Sequence, residues 1–269
     1  MKIKITHSTT YKYNSIVPKL IQSLKLYPSI CNNQEIIEWD TSSSSGKIIE
    51  SHLDSLGHRV QNIYVNNFSG QLKITSNGIL KTKNLSGIVK GLKEKVNPLC
   101  FLRETDLTKP CKKIEKISKD AEVKNKDKIE FAHKLNLVVS NSIEYVSGST
   151  TTSTSSQEAL KQKKGVCQDF AHILISAARL NKLPARYING FLLEETKSGE
   201  NTTHAWVEIF LKNLGWVAFD PSHKKCIDEK YIRISTGFDF LDASTIKGVK
   251  TNYEGEEYLD TKVNIENCQ

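Results

Sequence analysis

Three residues far apart in the chain have the types and settings for thiol chemistry: Cys167, His204 and Asp220. A cysteine acts as a nucleophile through its thiolate, with a base beside it and a third group orienting the base. Cys167 opens the helical pattern CQDFAHILISAARL. Unpaired N–H groups and the positive end of the helix dipole favour a thiolate at that place. His204 opens the strand-like THAWVEIFL, and Asp220 closes WVAFD. Between them, Lys212–Asn213–Leu214–Gly215 reads as a hairpin turn. In an antiparallel pair with a short turn, the start of the first strand lies beside the end of the second. His204 and Asp220 are then within hydrogen-bonding reach, and the other ring nitrogen faces Cys167. Such a set performs acyl transfer: the thiolate attacks a carbonyl and the imidazolium protonates the leaving amine.

Taken singly, each residue has a plainer explanation. A cysteine on a helix is usually packing, a strand histidine a satisfied polar residue, and an aspartate before proline the start of a turn. The joint order is more specific than its parts. His172 follows Cys167 by five residues and points about 140° away around the helix, which disfavours it as the base. His52 and His58 flank Asp54 in HLDSLGH, where the glycine and strand context favour a turn over a metal site. His223, two residues past Pro221, has no role that the sequence assigns. Trp206 and Trp216 suit a core or cleft wall. The backbone N–H of Cys167 is one donor to a developing oxyanion, and Tyr145 is the candidate for a second. The chain shows no calcium-type carboxylate loop and no C-x-x-C pair, so neither metal nor cofactor is expected.

Positioning these groups requires a helix start and a hairpin on one scaffold. Ahead of them, MKIKITHSTTYKY, EIIEWDT, KIIESHLD, HRVQNIYV and QLKITSNG alternate apolar and polar residues. They predict an antiparallel β domain over residues 1–92. TSSSSG, residues 41–46, reads as a turn or loop. Pro98 and Pro110 punctuate a loop-rich stretch, and helical periodicity follows from Ile114 to Val139. Ser155 or Ser156, ahead of Gln157–Glu158, suits a helix N-cap. Phe170, Ile173, Leu174, Ala177 and Ala178 recur at helical spacing, Leu183 and Pro184 end that helix, and ARYINGFLL is strand-like. The expectation is an α+β chain: a β domain at 1–92, then a catalytic core with a helical lead-in at 93–269.

With 269 residues, the chain is long enough to bury a full core without a metal or disulfide staple. Its apolar runs fall far short of the ~18 residues of a membrane span. The N-terminus lacks the unbroken apolar stretch of a signal peptide, so a cytoplasmic location with no membrane partner is expected. The six cysteines are then reduced, with packing as their default role. The net charge of +8 gathers in the middle, where fifteen Lys/Arg meet eight Asp/Glu between Lys81 and Lys134. Both signs interleave in KKIEKISKDAEVKNKDKIE, with Ile114, Ile117, Ala121 and Val123 between them. A solvated amphipathic face is expected there, not a nucleic-acid surface.

GVCQDFAH, THAWVEIF and GWVAFDPSH resemble the three motifs of the transglutaminase-like superfamily, and most of all its bacterial branch described as candidate cysteine proteases. IEYVSGSTTTSTSSQEALKQKKGVCQDFAH resembles the approach to the nucleophile in that branch, and GFDFLDASTIKGV the segment after its Asp. THSTTYKYNSIVPKLIQSLKLYP and DSLGHRV resemble its N-terminal β domain. The resemblance implies a papain-like core, with the catalytic helix packed on an antiparallel sheet, behind a β-sandwich-like domain. It implies Cys167 as nucleophile, His204 as base, Asp220 as orienting acid, and a protein or peptide substrate. Hydrolysis of an amide or peptide bond is the expected reaction. Glutamine transamidation and a non-catalytic binding module are the alternatives. Phe238 departs from the pattern, because the branch usually has a basic residue there.

Overall fold

The computed structural model describes residues 1–124, 127–194 and 202–268. Its first sheet is organised by two long antiparallel strands, β1 (Lys2–Leu24) and β4 (Arg59–Thr82), whose pairing shifts at a bulge between Tyr13 and Val17. β2 (Gln34–Ser43) and β3 (Lys47–Leu53) pair with successive halves of β4. Ile3, Ile5, His7, Thr9, Tyr11 and Tyr13 alternate inward along β1, as period-two patterning requires. The turn expected in TSSSSG is confined to its last residues, since β2 runs through Ser43. Gly46 closes it with φ +78°, and a Cβ there would stand 2.8 Å from the Tyr64 carbonyl oxygen.

HRVQNIYV and QLKITSNG, legible as two strands, are the two ends of β4. Asn67 and Gly70 between them have positive φ, which is why the segment reads as a turn. Pairing of β1 on both sides, with Val17 opposite Phe68, overrides that local preference.

β5 (Ile88–Val89) leaves the first sheet and pairs with a strand of the second. The helical stretch expected from Ile114 to Val139 is two helices, α1 (Lys112–Asp120) and α2 (Lys128–Ser140). Asp127 starts the second by accepting from the Ile129 N–H at 2.8 Å. β6 (Glu144–Tyr145), α3 (Ser156–Gln162) and β7 (Lys164–Gly165) lead into α4 (Cys167–Leu180). Ser155 caps α3 in a box with Glu158, as the sequence predicts. β8 (Ala185–Leu192), β9 (Thr203–Leu211), β10 (Gly215–Asp220), β11 (Lys225–Cys226) and β12 (Tyr231–Gly237) follow. Their antiparallel order is β11-β10-β9-β8-β12, with β5 on β10. α4 lies against β9 and β8, with α1, α2 and α3 around it. Phe131, Leu135, Phe170, Leu174 and Val207 belong to their common core.

After the single turn α5 (Phe240–Ala243), β13 (Ile246–Thr251) and β14 (Glu257–Asn267) both pair with β1. Strand pairing thus crosses the expected boundary at residue 92 in both directions: the last strands complete the first sheet, and β5 joins the second. The physical reason is the free edge of β1, whose unpaired backbone groups the returning chain satisfies. Ile3, Ile5, Leu80 and Ile265 then pack against Phe191, Ile232 and Ile234 of the second sheet. Among the described residues, no helix is long and apolar enough to cross a membrane.

A buried charged cluster also joins the two sheets. Glu208 accepts from Arg186 Nε at 2.7 Å and from Arg233 Nε at 2.8 Å. Arg233 reaches Ser29 Oγ at 2.6 Å, and its backbone N–H donates to Gln34 at 2.9 Å. Arg186 lies 3.7 Å over the Trp216 ring and also pairs with Glu94. Burial works against the Glu208 carboxylate, but Arg233 and Arg186 outweigh it and hold the carboxyl below its usual range. Glu208→Gln keeps the volume, takes the carboxylate from buried Arg233 and leaves Arg186 with Glu94 alone. It should destabilise the fold by about 3–5 kcal/mol, read as a lowered urea midpoint. An unchanged midpoint would show that the cluster does not hold the sheets.

Candidate active site

The start of α4 is held from three directions. Asp169, in its first turn, accepts from the Val166 N–H at 2.8 Å and from Thr150 Oγ1 at 2.7 Å. This is the acidic half of a capping box, since Val166 has no side-chain acceptor. Gly165 is needed for the approach: a Cβ there would stand 2.6 Å from Asp169 Cβ. Gln168 Nε2 donates to the Thr151 and Thr152 carbonyls at 3.4 and 3.3 Å, so the hydroxyl-rich segment wraps the helix start. At the other end, Arg179 is buried and donates to the carbonyls of Phe101, Ala185 and Phe238 and to Thr108 Oγ1. Burial pulls its pKa down to about 10. A helix fastened at both ends leaves Cys167 little freedom of position.

The hairpin meets this helix start. The β9–β10 ladder runs from Leu211–Gly215 to Val207–Phe219, leaving His204 and Asp220 side by side at its open end. His204 Nε2 donates to Asp220 Oδ2 at 2.7 Å, and His204 also hydrogen-bonds the Cys167 side chain. The structure thus brings together the three residues singled out in the sequence. Burial opposes charge on His204, but the hydrogen bonds and charges of Asp220 and Cys167 prevail and raise its pKa to about 10. Burial likewise disfavours the Asp220 carboxylate, and His204 and His223 reverse this, holding the carboxyl well below its usual range. The stability effects have opposite signs. The share of His204 is full below its ordinary value of 6.5 and is lost as pH rises through about 10. The share of Asp220 is full above the ordinary carboxyl range and is lost on acidification.

Asp220 has more partners than the sequence suggested. Its Oδ1 accepts from the Ser222 N–H at 2.9 Å, Ser222 Oγ at 2.6 Å and the His223 N–H at 3.2 Å. Its Oδ2 is shared by His204, His223 Nδ1 at 2.8 Å and Tyr231 Oη at 2.8 Å. His223 Nε2 continues to Glu194 Oε1 at 2.7 Å. The Asp-Pro-Ser-His order could have pointed to part of this, because an Asx turn delivers the next N–H groups to the carboxylate. Tyr231 comes from β12 and Glu194 from just past the end of β8, so neither leaves a local signal.

The remaining candidates fall outside the reacting set. His172 is fully buried, accepts from the Phe240 N–H at 3.2 Å, and is pushed down to about 4 by burial. His58 donates to Asp54 at 2.9 Å and accepts from the Thr236 N–H at 2.9 Å, pinning a β-turn to β12. The turn expected in HLDSLGH is Asp54–His58, and His52 lies before it on β3, opposite Val60. Trp206 is fully buried behind the His204 ring, with centroids 6.3 Å apart. Trp216 belongs to the Arg186 cluster. Tyr145 is half exposed, on a strand paired with Gly165. Burial, then the negative charges of Cys167, Glu194 and Asp220, push its phenol up to about 12. At Phe238, the Arg103 guanidinium stands 4.0 Å over the ring, so positive charge arrives from elsewhere in the chain. Among the described residues, His204, Asp220 and His223 form the one group whose potential metal-ligand atoms converge, within 4.8 Å. In this arrangement both imidazoles donate to the Asp220 carboxylate.

Comparison with known proteins agrees with this layout. Residues 115–221 match the transglutaminase-like superfamily, and residues 3–81 match the bacterial transglutaminase-like N-terminal region. An uncharacterized protein of Mycobacterium leprae is 25% identical over 277 residues, covering 98% of both chains. One from Mycobacterium tuberculosis is 32% identical over 131 residues, covering 45% of this chain and 42% of its own. A crystal structure titled "Putative Cysteine Protease from Cytophaga hutchinsonii" shares the fold, with TM-score 0.72, 20% identity, and 99% and 98% coverage of the two chains.

The six thiols differ in setting. Burial pushes Cys31 up, and Cys226 up to about 11. Cys167 alone hydrogen-bonds an imidazole whose proton is held to high pH. Iodoacetamide at mildly acidic pH should alkylate Cys167 faster than any other cysteine, as read by peptide mass spectrometry. Equal labelling, or a preference for Cys100 or Cys268, would contradict thiolate stabilisation by His204.

Proposed function

The chain belongs to the transglutaminase-like superfamily, and from that premise we propose that it is a cysteine-dependent acyl-transfer enzyme that hydrolyses an amide or peptide bond. The observation that supports this best is the unbroken hydrogen-bonded series Cys167–His204–Asp220. His204 holds its proton at neutral pH, and in this reading it faces Cys167 as an imidazolium, with the sulfur acting as the thiolate. The Cys167 sulfur attacks the substrate carbonyl carbon. Negative charge moves to the oxygen, which faces the Cys167 N–H, a donor at the first helical position. Tyr145 is the second donor in this reading. When the carbon–nitrogen bond breaks, the nitrogen takes the proton from His204 and a thioester remains on Cys167. Water then attacks the thioester, gives a proton to His204, and releases the acid and the thiolate. Asp220 keeps Nε2 protonated throughout, so Nδ1 is the atom that gives and takes the proton.

The same reading takes α4 and the second sheet as a papain-like core, and the first sheet as a sandwich-like module that helps dock a protein or peptide. An amine in place of water at the second step would make the reaction a transamidation. A peptide-amide library offered with and without a fluorescent primary amine separates the two. Free acid alone marks a hydrolase, and amine incorporation marks a transamidase. Cys167→Ala should abolish both while leaving the circular dichroism unchanged. Asp220→Asn should lower turnover by about 10²–10⁴-fold. Full activity in either variant would remove the basis of the proposal.

A further inference from the structure

His223 is an ionisable ring at the site that the acyl-transfer scheme leaves without a task. Its two ring nitrogens both face carboxylates: Nδ1 is 2.8 Å from Asp220 Oδ2, and Nε2 is 2.7 Å from Glu194 Oε1. A carboxylate oxygen only accepts, so both nitrogens donate, and a ring donating twice is an imidazolium. The His223 ring centroid is 5.1 Å from that of His204. Both rings donate to the same oxygen of Asp220. Two like charges sharing one acceptor each weaken the hold of that acceptor on the other.

We infer that His223 is a positioning residue for the proposed reaction: an imidazolium clamped between Asp220 and Glu194, it shares the Asp220 carboxylate with His204 and moderates the basicity of that imidazole. The inference rests on the acyl-transfer reading of the same site. Its chemical sense is direct. A histidine that binds its proton too tightly is a poor acid towards a leaving amine. Asp220, buried and fed by six hydrogen bonds, would otherwise give His204 an undivided counter-charge.

Charged and titratable groups bear on His223 from every neighbouring element. Asp220, at the end of β10, and Glu194, just past β8, favour its charge, while His204 on β9 opposes it. Tyr231 on β12 donates to the same Asp220 oxygen, and burial keeps its phenol protonated. Lys225 lies 5.2 Å over the Tyr231 ring. Tyr145 feels the same two carboxylates, Glu194 and Asp220, together with Cys167. The net balance raises His223 above its ordinary value, in agreement with the donor geometry. His223 and Glu194 are partly exposed, so solvent can exchange the proton, whereas the Asp220 side chain is fully buried.

Nuclear magnetic resonance of the full chain with nitrogen-labelled histidine tests this without a substrate. Using Cys167→Ala as the background removes the thiolate and brings the His204 titration into a range the fold tolerates. In that background, His223 should carry protons on both ring nitrogens at neutral pH. Adding Glu194→Gln should lower the His223 midpoint by about one unit or more, and adding His223→Gln should raise the His204 midpoint by about 0.5 units or more. A His223 that only fills space would leave the His204 midpoint where it was. A singly protonated His223 at neutral pH, or a His204 midpoint unmoved or lowered by His223→Gln, would overturn the inference. Should His223→Gln fail to fold, the Glu194→Gln arm still decides: an unmoved His223 midpoint there also overturns it. Failure of the acyl-transfer reading has a separate signature, an unreactive Cys167 in the otherwise unaltered chain, with these histidine titrations as stated.

Discussion

The site depends on keeping the Asp220 carboxylate charged inside the protein. A buried carboxylate is costly unless hydrogen bonds replace its water. Here the donors come from the open end of the β9–β10 hairpin, the turn after it, and β12. Satisfying one charge therefore fixes three pieces of backbone relative to each other. His204 is one of those donors, so the direction of its ring follows from the needs of Asp220. The free ring nitrogen is then aimed at whatever stands at the start of α4, and that is Cys167.

The other half of the arrangement is the placement of α4. Asp169, Thr150 and Gln168 hold its beginning, and Arg179 holds its end to the carbonyls of Phe101, Ala185 and Phe238. The sheet beneath is stiffened by Glu208 between Arg186 and Arg233, and Arg233 extends to Ser29 and the Gln34 side chain. His58 adds a further link by accepting from the Thr236 N–H. The first sheet is thus wired to the strands of the reacting hairpin through polar contacts as well as apolar packing.

What could be read from the sequence follows the range of the forces involved. The helix start at Cys167, the hairpin turn before Gly215 and the Ser155 cap depend on neighbours within a few residues, and the structure has them where the pattern put them. The 140° offset of His172 is also local geometry, and that histidine is indeed turned into the core. The continuous β4, the extension of β1 past Tyr13 and the return of β13 and β14 to β1 are decided by pairing across large sequence separations. Turn-like residues such as Asn67 and Gly70 point the other way locally. Glu194 and Tyr231 were invisible for the same reason: one reaches the Asp220 network from just past β8 and the other from β12, and no local pattern reveals where those strands lie in the sheet.

The central claim is that Asp220, His204 and Cys167 share one proton economy. The most direct measurement is the ultraviolet absorbance of the thiolate, taken as the difference from Cys167→Ala, across about pH 5 to 9. The account predicts a thiolate signal already present at the acidic end, and an Asp220→Asn protein in which that signal emerges only at more alkaline pH. Superimposable curves for the two proteins would contradict it, because Cys167 would then titrate without regard to the carboxylate behind His204.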